Sequence, residues 1–238
     1  MVVSPADEPA APPAITARGI RVSGPWGPVY GPVDLDVPDG GLTVLICPPG
    51  TGRTALLMTL AGRMSPNDGT LTVLGATRAR EVFKLAALAG VDEIDTVPES
   101  VTVRDLLTEQ LRWNAAWYRL IRRADDEDLR RVCAPVFGDL PLPHLDQFVE
   151  QLGELDAILL RIALADTTTP RLLVVGSLDS VANDQERALL LDRLVDLGTR
   201  QTIVISSSNP LPDDSPCLQI PVANTTAAEL VDQQKGAK

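Results

Sequence analysis

The sequence predicts an α/β fold built on a mostly parallel sheet, and three observations carry this. An apolar run suited to a buried strand, LTVLIC (42–47), leads through a glycine-bearing loop into TALLMTLAGRM (54–64), whose apolar residues have helical spacing. Two more apolar runs, RLLVV (171–175) and QTIVISS (201–207), bracket the long amphipathic stretch NDQERALLLDRLVDLG (183–198). Alternation of this kind is the pattern of parallel strands joined by helical crossovers. Lastly, the block 102–168 is helical in character and interrupts the alternation, which marks it as an inserted subdomain.

The elements follow in order. Residues 1–14 form a Pro/Ala-rich tail, expected to be disordered. ITARGIRV (15–22) has strand character, and GPWGPVYGP after it is a turn-rich hairpin or loop. VDLDV (33–37) alternates apolar and acidic residues, as a half-exposed strand does. SPNDG is a turn before the short strand TLTVLG. VTVRDLLTEQLRWNAAWYRLIRR (101–123) is expected to be one helix with Thr102 as N-cap. DDEDLRRVCAPVF (125–137) is a second helix, with carboxylates in the first turn where the helix dipole favours them. GDLPLPHLDQF is a loop, ELDAILLRIALADT (154–167) a third helix, and 216–220 one more strand. The expected division is a tail (1–14), a first core part (15–101), the helical subdomain (102–168), a second core part (169–222) and a tail or short helix (223–238).

Composition narrows the function. With 238 residues, 45% hydrophobic but only 3% aromatic, the chain can bury a core made of Leu, Val, Ile and Ala. The net charge of −11 argues against a nucleic-acid partner. Cys47, Cys133 and Cys217 are far apart and form no CxxC, which fits reduced thiols in a cytosolic protein. The one histidine, His144, is expected at the surface, so no multi-histidine metal site exists. The N-terminus lacks the basic and apolar regions of a signal peptide. No apolar run approaches the ~20 residues that cross a bilayer. Any membrane role is therefore expected through a separate chain.

The chemistry concentrates in CPPGTGRT (47–54), between a buried strand and a helix. The phosphate-loop pattern is G-x-x-x-x-G-K-[ST]. Gly52 and Thr54 match it, Cys47 replaces the first glycine, and Arg53 replaces the lysine. Such a loop needs backbone N–H groups converging on a phosphate, a helix N-terminus behind them and a cation for the outer phosphates. Pro49, Gly50, Thr51, Gly52, Arg53, Thr54 and Ala55 are the candidate nucleotide-binding residues, and the Thr54 hydroxyl the candidate Mg²⁺ ligand. An ordinary glycine-rich strand-to-helix turn is the alternative.

The surroundings resemble ABC-type ATPases. TALLMTLAGRMSPNDGTLTVLG (54–75) is similar to that family's leucine-rich helix, L-A-G turn and following strand. VDLDVPDG, ESVTVRDLL (99–107), PRLLVVG (170–176) and TIVISSSNP (202–210) resemble further family segments in the right order, so the likeness covers roughly residues 15–210. The resemblance implies a phosphate-loop ATPase core, with N-terminal antiparallel strands beside the parallel sheet, and a helical subdomain. It also implies an integral-membrane transporter subunit in a separate chain and a cytoplasmic place at the inner face of the plasma membrane.

Measured against that family, several positions differ. The L-S-G-G-Q signature falls on Leu152-Gly153-Glu154-Leu155-Asp156, where carboxylates would repel a phosphate. The strand-end Asp and Glu fall on Gly176 and Ser177, with Asp179 a weak candidate for compensation. The switch histidine falls on Ser208, the Q-loop glutamine near Glu93, and the D-loop on VAN (181–183). Trp26 is the candidate for stacking on adenine, with Tyr30 as the other; either could instead cover a strand edge. Trp113, Trp117 and Tyr118 are expected on one helix, packing the subdomain core in preference to lining a docking groove.

These residues imply weak ATP binding, little Mg²⁺ dependence and poor or absent hydrolysis. ATP is not expected to drive homodimerisation, although a heterodimer partner could lend an intact signature. The alternatives are a pseudo-ATPase that binds no nucleotide and partners an active paralogue, and an active ATPase using unusual residues.

Overall fold

A computed structural model describes residues 12–25, 27–91, 100–116, 118 and 120–222. Trp26, Glu93, Trp117, most of the N-terminal tail and residues 223–238 lie outside them. The described residues open with β1 (Ile15–Gly24) and β2 (Gly27–Val37), followed by β3 (Leu42–Ile46), α1 (Thr51–Leu60) and β4 (Asp68–Val73). Next come α2 (Ala79–Leu85), β5 (Ala86–Ala89), α3 (Val103–Asn114), α4 (Asp126–Phe137) and α5 (Glu154–Asp166). The last described elements are β6 (Leu172–Ser177), α6 (Asp184–Gly198), β7 (Thr202–Ser207) and β8 (Leu218–Pro221).

Two sheets result. β2, β1 and β4 form an antiparallel sheet in that order. The second sheet runs β5-β6-β7-β3-β8, and every pairing in it is parallel. Strand alternation explains why the apolar runs are continuous. Leu42, Val44, Leu173, Val175, Ile203 and Ile205 face one core; Leu45, Leu172, Val174 and Val204 face the other. A parallel sheet covered on both faces needs apolar residues at successive positions. α4, α5 and α6 cover the first face, while α1 and the antiparallel sheet cover the second.

The structure corrects the sequence analysis in several places. Ala14 belongs to the core, and its carbonyl accepts the Leu74 N–H, so the tail is anchored before β1 begins. The expected hairpin at GPWGPVYGP is present, since Gly24 pairs with Gly27 across antiparallel β1 and β2; only its strand extent, with β2 starting at Gly27, exceeds the expectation. The expected helix 101–123 stops at Asn114. Beyond it the chain doubles back. The Ala124 N–H donates to the Thr108 hydroxyl, and the Ala124 carbonyl accepts from Arg104 Nη1. Those bonds tie Ala124 to α3, and straight helix through 123 could not make them. The Thr102 cap holds: its hydroxyl accepts the Asp105 N–H, and Asp105 reaches back to the Thr102 N–H. No element was expected over α2 and β5. The strand AALA has no β-branched residue to signal it.

Candidate functional site

The parallel strands end together. β3, β6 and β7 are neighbours, with Ile46 in register with Ser207 and Ser177 with Ser206. The loops beyond their C-terminal ends therefore share one edge, where α/β sheets gather ligands. Gly50 lies on the first of these loops as the N-cap of α1, at φ 132° and ψ −179°. Only glycine occupies that region without strain. The Arg53 and Thr54 N–H groups turn back onto the Gly50 carbonyl at 3.0 and 3.4 Å. The α1 N-terminus carries no acidic residue in its first turn. It thus keeps the positive end of the helix dipole uncompensated by its own side chains.

A cleft of about 150 Å³ opens beside it, lined by Gly50, Arg53, Thr54, Leu57, Gly176 and Ser177 among others. Pro49 and Thr51 are exposed. Gly52 and Ala55 are buried, with the Ala55 side chain in the core behind the loop. Cys47 is buried as well, and burial pushes its thiol up to about 11.

Arg53 of the phosphate-loop pattern and three positions that the resemblance singled out, Ser177, Asp179 and Ser208, meet in one polar network. Arg53 Nη1 donates to Asp179 Oδ2 at 2.8 Å and to Ser208 Oγ at 3.1 Å. The same carboxylate accepts the Ser208 hydroxyl at 2.6 Å, the Ser208 N–H at 3.1 Å and the Ser177 hydroxyl at 3.0 Å. Burial alone would raise the Asp179 carboxyl. Hydrogen bonds from Ser208, Arg53 and Ser177 outweigh it and hold the group below its ordinary value. Asp179 is placed by a short 3₁₀ turn, Leu178–Ser180, whose N-cap is Ser177. Sequence reasoning gave Asp179 little weight because it lies three residues beyond the strand-end position at Gly176. The signal was available in the chain's one basic residue between 22 and 62, Arg53, which needs an anion.

Other expected residues are dispersed. Tyr30 cannot stack on a base: it is fully buried, and its hydroxyl donates to Thr59 Oγ1 at 2.9 Å. In the LGELD segment, Gly153 caps α5, Glu154 accepts the Ala182 N–H at 2.6 Å, and burial raises the Asp156 carboxyl. Asn183 caps α6. His144 is exposed. Trp113 is 78% exposed and Tyr118 75%, so neither packs the core, and Tyr118 lies beyond the end of α3. Trp113 instead lines a groove of about 870 Å³ with Phe83, Leu106, Gln110 and Leu164. Arg63 stacks over Phe83 at 3.6 Å from the ring centre.

Among the described residues, no group of three His, Cys, Asp or Glu could hold a metal ion. Among them too, no helix is long and apolar enough to cross a membrane.

No protein-family model matches the chain. It is 30% identical over 181 residues to an ABC transporter ATP-binding/permease protein of Mycobacterium tuberculosis, covering 74% of this chain and 20% of that protein. It is 29% identical over 211 residues to a hemin import ATP-binding protein of Rhodococcus jostii, covering 84% of this chain and 69% of that one. The chain thus spans only a fifth of the first relative's length. Among solved structures, an ATP-binding cassette of an ABC transporter matches with TM-score 0.70 at 14% identity, over 92% of this chain and 94% of the other. CbiO1 of Clostridium perfringens, part of an ABC transporter complex, matches with TM-score 0.67 at 12% identity, over 94% and 93%.

Proposed function

We propose that this chain, whose homologues are ABC transporter ATP-binding proteins and whose fold is that of ABC ATPase domains, is the ATP-binding subunit of a transporter that binds ATP weakly and hydrolyses it poorly or not at all. One observation carries the binding half. The α1 N-terminus, opened by Gly50, faces a cleft shared with Arg53, Thr54 and the end of β6. A helix N-terminus with an adjacent cation favours phosphate.

The hydrolysis half rests on what surrounds the cleft. Ser177 and Ser208 supply hydroxyls, which are not bases at neutral pH, and the Asp179 carboxylate is taken up by Arg53 and both serines. Losing a positioned general base costs ~10²–10⁴ in rate. The same occupancy fits Mg²⁺ poorly: Thr54 offers a hydroxyl, but the nearby carboxylate is committed. Mg²⁺ therefore adds little to nucleotide affinity.

The groove holding Phe83 and Trp113 lies between α2, β5 and the helices α3 and α5. It suits a short helix of an integral-membrane subunit, with residues 102–168 acting as the subdomain that forms one wall. That partner would hold the chain at the cytoplasmic face of the membrane. Glu154 and Asp156 at the start of α5 disfavour a second copy's nucleotide there, so any closed pair would be a heterodimer.

Titration of the full chain with a fluorescent ATP analogue, with and without Mg²⁺, tests this. Saturable binding is expected, weakened about tenfold or more by Arg53→Ala and changed less than about threefold by Mg²⁺. Absence of saturable binding would sink the reading in favour of an interaction partner that takes no nucleotide.

A further inference from the structure

Asp179 Oδ2 collects a guanidinium N–H, two hydroxyls and a backbone N–H. That is the donor set a phosphate oxygen would use: a cation, hydroxyls and a main-chain amide around one oxyanion. The strand order explains how these groups meet. β7 separates β3 from β6, so Arg53, on the helix after β3, reaches past the end of β7 to the turn after β6. Ser208, directly after β7, sits between them and touches both. The Arg53 and Asp179 side chains are 16% and 32% exposed, so water screens the pair only partly.

We propose that the Asp179 carboxylate is a built-in competitor for the terminal phosphate of a nucleoside triphosphate, so that this site selects a nucleoside diphosphate over the triphosphate. This rests on the reading that the cleft takes nucleotide. A first phosphate at the α1 N-terminus leaves the Arg53–Asp179 pair in place. A further phosphate directed at Arg53 must displace a carboxylate already bound there, or lie beside it as a like charge. Like charges in contact disfavour binding strongly. The same contact accounts for a phosphate-loop cation that is satisfied within its own chain.

The test compares ATP and ADP affinities, by calorimetry on the full chain, for the unaltered protein, Asp179→Asn, Arg53→Ala and the double variant. Asp179→Asn should tighten ATP by about tenfold or more and ADP by less than about threefold. In the Arg53→Ala background the gain for ATP from Asp179→Asn should be smaller than in the unaltered chain, because only like-charge repulsion is then relieved. Asp179→Ser provides the same comparison should the asparagine variant fail to fold, which circular dichroism reports. If the Asp179 variants bind ATP no tighter, while the unaltered chain binds ATP and Arg53→Ala weakens it, the competitor is disproved and the nucleotide site stands. If neither nucleotide binds any variant, the nucleotide reading falls and the competitor with it.

Discussion

Gly176, at the end of β6, packs so tightly on Gly90 that a β-carbon there would overlap the Gly90 carbonyl oxygen. Gly90 is confined in turn, at φ 64°, with the Ile158 side chain where its own β-carbon would point. The resemblance places an aspartate at position 176, and this backbone has no room for one. Substitution alone therefore cannot restore it.

Gly176→Asp is expected to destabilise the protein by about 3 kcal/mol or more, since the obstruction is backbone rather than a flexible side chain. No hydrolysis should be gained. Urea unfolding and a phosphate-release assay check both. A folded variant of undiminished stability would show that the β5–β6 edge opens more readily than this packing implies.

The Arg53–Asp179 pair predicts a coupling. In a double-mutant cycle with Arg53→Met and Asp179→Asn, the interaction energy should be about 1–2 kcal/mol at neutral pH, above a surface pair and below a fully buried one. Its pH dependence has a definite sign. The Asp179 carboxyl is held below its ordinary value of 3.8, so the contribution is complete above that pH. It is lost as pH falls through the lowered value, when the folded state takes up the proton. Facing the pair, Ser177 and Ser208 do not titrate, and the neighbouring Cys47 thiol, at about 11, stays neutral in that window. Coupling measured at pH 7 should therefore exceed coupling measured below pH 3.8.

Much of the fold was legible because periodicity was strong where burial was complete. LTVLIC, RLLVV and QTIVISS are continuous apolar runs, and both sheet faces are indeed covered. Thr102 announced α3 through capping chemistry that operates locally, and the first-turn carboxylates announced α4. The end of α3 was not legible, because the bonds that reverse the chain join Ala124 to Thr108 and Arg104, 16 and 20 residues away. The site was half legible. Gly50, Gly52 and Arg53 were visible as a loop. That Arg53 pairs with Asp179, 126 residues later, depends on strand order, which no local pattern encodes.

Tyr30 provides a spectroscopic prediction. Burial pushes its hydroxyl up to about 12, against the opposing hydrogen bond with Thr59. A raised folded value means the neutral form stabilises the fold fully below pH 10, the ordinary value, and that stability is lost as pH rises toward about 12. Alkaline titration followed at the tyrosinate band should show Tyr30 ionising only there or together with unfolding. Tyr30→Phe should remove the late component and cost about 1 kcal/mol for the lost hydrogen bond.

Two residues of α3 separate a docking surface from a core. Leu107 is fully buried, whereas Trp113, less than two turns further on, is 78% exposed beside the groove that also holds Phe83. Leu107→Ala should cost about 2–5 kcal/mol, through lost burial and the cavity left behind. Trp113→Ala should change stability by no more than about 0.5 kcal/mol, because the indole covers almost no core. An exposed aromatic of that size, on a helix that folds without it, is the kind of anchor that dominates an interface when a partner buries it. Urea unfolding of the two variants side by side decides the matter. A large loss of stability in Trp113→Ala would return the indole to the subdomain core and remove the groove's principal anchor.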